Sequence, residues 1–244
     1  IFKKLCQQFY LKIKIYLIKN FIKKRLIMDK LCEKYKNSLY SGLSKIGKCL
    51  SSDKRIEILD LLSQGKKTVE KIARETGMTI ANTSRHLQIL KDGNLVSCEK
   101  KKNFVVYKIA NEKIIDLVYL LINVGETQLS DVQKIHDEFY EKCCKTKILT
   151  VEEAQKMVEQ ENVVIIDLRP EDEFNSQHIE NAINIPMKML EENLEDLPKD
   201  KKIIVYCRGR NCAYANIAAK ILTNNGFCAY SLNQSYYEWN KAKI

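Results

Sequence analysis

The segment Val205-Tyr206-Cys207-Arg208-Gly209-Arg210-Asn211-Cys212-Ala213-Tyr214 constrains the fold of this chain more than any other stretch. Before the cysteine, Lys202 to Tyr206 is a short apolar run of the kind that makes a buried strand. After it, Ala213 to Leu222 is alanine-rich with helical spacing and ends near Gly226. Cys207 therefore falls in a tight turn at the end of a strand, just before a helix begins. The unpaired amides of the first helical turn, the helix dipole, and Arg208 and Arg210 would there stabilise a thiolate facing an anion. A cysteine is often a small core residue, but Arg-Gly-Arg-Asn is poor core material. Cys207, Arg208, Gly209, Arg210, Asn211 and Cys212 are the candidate catalytic residues.

Further motifs stand at a distance from that loop. Val163-Val164-Ile165-Ile166-Asp167-Leu168-Arg169-Pro170-Glu171-Asp172-Glu173-Phe174 reads as a strand, then Asp-x-Arg, then an acidic-aromatic helix start. His178-Ile179 precedes Ala182-Ile183-Asn184-Ile185-Pro186, and Glu238-Trp239 lies near the end. Together with Cys207-Arg208, these motifs resemble a rhodanese domain over residues 148–244. The resemblance implies an α/β fold with a parallel sheet, the fold of thiosulfate sulfurtransferases and related persulfide carriers. It implies that Cys207 accepts a sulfane sulfur, with Arg208 and Arg210 orienting a small anionic sulfur donor such as thiosulfate. It also implies that Asp167 and Arg169 brace the fold rather than touch substrate. Three positions depart from the family pattern: Gln177 and Asn181 stand where glycine is usual, and Asn233-Gln234 replaces a late Gly-Gly. Asn reaches the left-handed region more readily than most residues, so the fold tolerates these changes better than turnover does.

Loop length separates two reaction types. Related cysteine-dependent phosphatases use Cys-x5-Arg, whose arginine forks around the phosphate; six residues after Cys207 this chain has Ala213. The shorter loop fits sulfur transfer and not phosphatase chemistry. Cys212 is open to three readings: a thiol that resolves a persulfide as a disulfide, a ligand for a thiophilic ion, or a residue buried at the helix start.

The N-terminal half follows a different grammar. Ser51-Ser52-Asp53 caps a helix with apolar Ile56, Leu59, Leu61 and Leu62, which Gln64-Gly65 ends. A short helix, Val69 to Thr76, then leads through the Gly77-Met78 turn to Thr79, which caps a helix from Ile80 to Lys91. In helix-turn-helix proteins that second helix lies in the DNA major groove. Ile80, Leu87 and Leu90 share its buried face, while Asn82, Thr83, Arg85, His86 and Gln88 are polar groups able to reach phosphates or base edges. Strands Leu95–Glu99 and Phe104–Ile109 flank Lys100-Lys101-Lys102-Asn103, a wing whose tip suits the phosphate backbone. Thr79, Asn82, Thr83, Arg85, His86, Gln88, Lys100, Lys101 and Lys102 are the candidate DNA-binding residues. Leu50 to Leu59, Ala81 to Leu90 and Gly93-Asn94-Leu95-Val96 resemble the ArsR family of winged-helix repressors, which implies an α+β domain. Metal-sensing members carry Cys-x-Cys-Asp in the helix that here reads Val69 to Thr76, so neither a metal site nor a cofactor is expected.

Charge divides the same way. The net charge is +10: residues 1–27 hold eight basic and no acidic residues, residues 28–110 carry +8 and residues 111–244 carry −6. The basic excess lies on the half expected to meet a polyanion. Residues 1–27 begin with Ile1, their apolar runs are broken by lysines well short of the ~20 residues of a spanning helix, and no signal-peptide pattern is present. We read them as a non-native upstream extension, with a basic surface-binding helix as the alternative; no membrane partner is expected. Between the domains, Ile114, Leu117, Val118, Leu121, Leu129, Val132, Ile135 and Phe139 place an amphipathic helix over residues 111–147, weakest at Gly125. In the ArsR family this element makes the homodimer that meets a two-fold operator. Cys143-Cys144, at its end, is either a thiol pair at the domain junction or inert. Nine cysteines without a secretion signal point to a reducing cytoplasm.

The expectation is a DNA-binding regulator over residues 28–110, dimerised through residues 111–147, whose residues 148–244 carry or sense sulfane sulfur at Cys207. Two other readings remain: a thiosulfate sulfurtransferase merely tethered to double-stranded DNA, and a thiophilic-ion sensor using Cys207 and Cys212.

Overall fold

The computed structural model describes residues 2–143, 146–160 and 162–242. The chain divides into two compact units, residues 1–55 and 56–244. The first is dominated by one helix, α1 (Phe2–Leu50), which runs without a break through the boundary expected at residue 27. Its last carbonyls, which have no partner within the helix, accept from the Arg55 guanidinium: Nε donates to Cys49 O at 2.6 Å and Nη2 to Lys48 O at 2.9 Å. No helix among the described residues is long and apolar enough to cross a membrane.

The helix α2 (Asp53–Ser63) leads into the second unit, followed by β1 (Lys67–Thr68), α3 (Val69–Glu75) and α4 (Ile80–Asp92). The caps follow the sequence: Thr68 accepts from Lys71 N and Thr79 accepts from Asn82 N. Between α3 and α4, Gly77 sits at φ +67°, which the tight turn demands and few other residues adopt. Ile58, Leu59, Ile72, Leu87 and Leu90 are fully buried and form the apolar centre of this part. β2 (Val96–Lys101) and β3 (Phe104–Ile109) pair antiparallel as a wing, and β1 completes the sheet in the order β1-β3-β2. This is the expected α+β winged helix.

The stretch 111–147 is not one helix. It folds as α5 (Glu112–Gln128) and α6 (Ser130–Cys143), separated at Leu129, whose φ and ψ of −108° and 104° are extended. The sequence had put the weak point four residues earlier, at Gly125. Gly125 remains helical, and its carbonyl accepts the Leu129 amide that closes the last turn. Cys144 and the side chain of Cys143 lie outside the described residues.

The C-terminal part is an all-parallel sheet in the order β4-β8-β7-β5-β6. It comprises β4 (Ile148–Leu149), α7 (Val151–Gln160), β5 (Val163–Asp167), α8 (Glu171–Phe174), β6 (Ile183–Asn184), β7 (Lys202–Tyr206), α9 (Tyr214–Asn224), β8 (Cys228–Leu232) and α10 (Tyr236–Lys241). The central strands β5 and β7 are covered on both faces, which is why they read as unbroken apolar runs rather than alternating ones. Register pairs Asp167 with Tyr206, and the Tyr206 hydroxyl donates to Asp167 Oδ2 at 2.5 Å. Asn181, in place of a family glycine, does take the left-handed conformation, at φ +62°.

Leu222 of α9 is fully buried against this sheet. Leu222→Ala should cost about 2–5 kcal/mol. In a chain of this size that lowers the melting temperature by roughly 2–4 °C for each kcal/mol. Thermal unfolding followed by circular dichroism checks it.

Candidate functional site

The loop from Cys207 to Ala213 leaves the carboxyl end of β7 and enters α9. Gly209 turns it, at φ +110°, and the Cys212 amide donates back to Gly209 O at 3.0 Å. A Cβ at Gly209 would stand 3.3 Å from Ser235 Cβ and 3.4 Å from Ser235 N, so both conformation and space require glycine here. Ser235 is itself fixed by a capping box with Glu238 at the start of α10.

This turn brings the two cysteines together, with their sulfurs 3.0 Å apart. Cys207 is 3 % exposed and packs into the apolar layer beneath α9, while Cys212 is half-buried at its edge. Hydrogen bonding to Cys212 and burial push the Cys207 thiol well above its ordinary value. Cys212 is lowered to about 6, first by the hydrogen bond from Cys207, then by the backbone amides of Tyr214 and Arg208 and the charge of Arg208, against the opposing effect of burial. Of the two sulfurs, Cys212 is the one whose surroundings favour the thiolate. The sequence had assigned the thiolate to Cys207.

The two arginines also behave differently from the expectation of a free anion cradle. Arg208 donates through Nη2 to Glu75 Oε2 and to Glu173 Oε1, both at 2.5 Å, and through Nε to Glu173 Oε2 at 2.9 Å. Glu75 is the last residue of α3, so this guanidinium ties the loop to the helix-turn-helix. Glu173 also accepts from Lys67 Nζ of β1 at 2.6 Å, and Glu173 and Lys67 are both fully buried in their side chains. Burial pushes the Glu173 carboxyl up, but the hydrogen bonds and charges of Arg208 and Lys67 outweigh it and leave the group below its usual range. Arg210 pairs with Glu126 of α5 at 2.8 Å and with Glu238 at 3.6 Å. Asn211 lies against Asp60 of α2, whose carboxyl burial pushes up to about 6 despite the lowering influence of Arg208 and Asn211. Beside these residues a cavity of about 590 Å³ is lined by Asp60, Asp116, Tyr119, Arg208, Arg210 and Tyr237, among others.

A second tie runs through Arg169. It is buried against Asp167, with Nη2 to Oδ2 at 2.7 Å, and donates through Nη1 to Gln64 Oε1 at 3.2 Å. Gln64 in turn donates to Arg208 O at 3.4 Å. Asp167 and Arg169 are both buried, and their hydrogen bonds join β5 to Gln64 of the winged-helix part. Sequence reasoning missed Lys67, Glu75, Gln64 and Asp60, because nothing local marks side chains whose partners lie more than a hundred positions away. Among the described residues, no group of three or more His, Cys, Asp or Glu side chains is placed to hold a metal ion.

On the winged helix, Asn82, Arg85 and Gln88 are exposed along α4, and Lys100, Lys101 and Lys102 are exposed at the wing. Lys102 turns the wing tip at φ +51°. Lys101 pairs with Glu99 at 3.1 Å and Gln88 donates to Asp92 Oδ1 at 2.7 Å. Thr79 caps the helix. His86 is half-buried, and its buried Nδ1 has no hydrogen-bond partner. Thr83 differs from the expectation: it is fully buried, and its hydroxyl donates to Thr79 O at 3.0 Å, so its side chain is turned away from the outer face.

Comparison with known proteins follows the same division. The family model described as "Bacterial regulatory protein, arsR family" matches residues 52–97, and that for the rhodanese-like domain matches residues 150–242. The HTH-type transcriptional regulator Rv0324 of Mycobacterium tuberculosis is 34 % identical over 209 residues, covering 86 % of this chain and 92 % of that protein. A thiosulfate sulfurtransferase, GlpE of Coxiella burnetii, is 33 % identical over 88 residues, 36 % of this chain and 80 % of that protein. A solution structure of the homodimeric winged helix-turn-helix DNA-binding domain Mb0332 of Mycobacterium bovis is 38 % identical and covers 38 % of this chain and 87 % of that one, at a TM-score of 0.37. A winged helix-turn-helix followed by a parallel α/β domain with a cysteine loop defines a regulator carrying a rhodanese-like module. The chain belongs to the ArsR family of transcriptional regulators, in the form fused to a rhodanese-like domain.

The dithiol makes a measurable demand. Iodoacetamide should modify Cys212 ahead of Cys207, with a rate that follows a midpoint near 6. One pH unit below that midpoint the reaction should run about tenfold slower than on its high-pH plateau, because only the thiolate attacks. Peptide mapping reads the rates; a rate still climbing above about pH 8, as for an ordinary thiol, would contradict the assignment.

Proposed function

We propose that this regulator binds double-stranded operator DNA as a homodimer, and that sulfane sulfur taken up at Cys207 alters its grip on the operator. The thiolate of Cys207 attacks the sulfane sulfur of a donor such as thiosulfate. One sulfur–sulfur bond forms, the donor's own breaks, and sulfite leaves with the electron pair. The product is a persulfide on Cys207. The hydrogen bond to Cys212 and burial hold the Cys207 proton at rest, so ionisation precedes the attack.

One observation carries the reading: Arg208, the residue after Cys207, is ion-paired to Glu75 at the end of α3. Any change that moves the sulfur loop is felt at once by the first helix of the helix-turn-helix. The same ion pairs weigh against a freely turning-over enzyme, since the arginines that would hold an anionic donor are already occupied by Glu75, Glu173, Glu126 and Glu238. Duplex binding is supported by exposed Asn82, Arg85, Gln88 and the wing lysines on the half of the chain with the basic excess. Dimerisation is supported by Leu120 and Val124 on α5 and Ile135 on α6, large apolar side chains left exposed in the single chain.

Fluorescence anisotropy on a duplex from its own upstream region tests the reading. Arg85→Ala should weaken binding by roughly 5- to 150-fold, the worth of one base contact. Neutralising Lys100, Lys101 and Lys102 should lower the salt slope by about 0.9 for each phosphate that the wing no longer neutralises. Thiosulfate should release the wild-type protein and leave Cys207→Ser bound. Unchanged affinity in Arg85→Ala together with no response to thiosulfate would overturn it.

A further inference from the structure

We propose that Cys207 and Cys212 form a two-thiol redox site in which Cys212 resolves the Cys207 persulfide, so that the arriving sulfur leaves as hydrosulfide and the pair closes as a disulfide. The proposal rests on sulfur uptake at Cys207 and supplies its end state. The Cys212 thiolate attacks Sγ of Cys207; the Cys207–Cys212 bond forms as the bond to the outer sulfur breaks, and hydrosulfide departs with that electron pair. The two thiols are oxidised by two electrons, the sulfane sulfur is reduced to sulfide, and no further oxidant is needed.

Three observations point to this reaction. The sulfurs already lie 3.0 Å apart across a loop folded on itself by Gly209, and a disulfide of about 2.05 Å needs them to close by about one ångström. Cys212 lies at the edge of the buried layer and lines a groove of about 340 Å³, together with Glu57, Asp60, Glu75 and Tyr214. A small leaving group therefore has a way out and a reductant a way in. Arg208, paired with Glu75, also lines this groove beside Cys212.

Closure also has a route outward. Arg210 lies between the two cysteines and pairs with Glu126 on α5, while Arg208 pairs with Glu75 on α3. Closure at the base of the loop acts on the segment that carries both guanidiniums.

The full-length protein, reduced and then treated with thiosulfate or inorganic polysulfide, is acid-quenched and its intact mass and released sulfide measured. Wild type should end about 2 Da lighter, with sulfide released and mass restored by dithiothreitol, whereas Cys212→Ser and Cys212→Ala should retain about 32 Da on Cys207 and release none. Agreement between the serine and alanine variants, both folded by circular dichroism, guards against a packing artefact. A wild type that holds a stable adduct of about 32 Da, as the variants do, overturns the disulfide and leaves sulfur uptake standing. If Cys207 takes no adduct in any variant, uptake itself fails and the resolving step falls with it.

Discussion

Glu173 is a fully buried carboxylate that receives Arg208 from the sulfur loop and Lys67 from the first strand of the winged-helix sheet. Desolvation costs several kcal/mol for each such ion, recovered only when the charges meet in good geometry with their remaining protons satisfied. Removing Glu173 would leave the buried Lys67 ammonium without its nearest carboxylate and take one of two carboxylates from Arg208. The loop is therefore positioned as much by the winged helix as by its own parallel sheet, and the second tie, from Asp167 through Arg169 to Gln64, reinforces the constraint. Tyr237 stacked on Tyr119, their ring centres 5.1 Å apart, and Tyr237 donating to Asp116 at 2.8 Å extend the contact to α5.

That constraint changes the electrostatics of the thiol site. The C-terminal half carries a net negative charge, and its loop arginines read from sequence as a local positive spot. Folded, each guanidinium faces two carboxylates. What stabilises a thiolate is mainly short-ranged: one sulfur hydrogen-bonded to the other, with backbone amides at the helix start and a smaller contribution from the Arg208 charge.

Much of this was legible from local pattern. Thr68 and Thr79 cap helices, Gly77 turns between them, and the apolar runs 163–166 and 203–205 are buried strands, because caps, turns and strand burial are written within a few residues of where they act. The break at Leu129 was not, since its extended backbone follows from how α5 and α6 are placed and not from a helix-breaking residue. The burial of Thr83 is a one-residue matter of helix phase: it falls four residues before Leu87 on the same face and satisfies its hydroxyl on Thr79 O. Within the sulfur loop, the residue types were readable but their partners were not. Lys67 in a basic stretch and Glu75 at a helix end look like ordinary surface charges until the fold sets them beside Glu173 and Arg208.

For one sulfur atom to control occupancy of an operator, it must distinguish bound from free protein energetically. Moving a two-state equilibrium from 1:99 to 99:1 takes about 5.5 kcal/mol. A sulfur atom's own packing is too small a source. Breaking a buried pair costs about 3–5 kcal/mol when it leaves a charge uncompensated; withdrawing Arg208 leaves Glu173 to Lys67 and Glu75 to Lys71, so its loss supplies a part of that. In the proposed switch, chemistry at Cys207 has only to shift the adjoining guanidinium by the length of a hydrogen bond for the helix-turn-helix to lose its anchor. By linkage, a duplex that prefers the anchored form then resists closure of the dithiol by the same free energy. Operator-bound protein should accordingly be the slower of the two forms to oxidise.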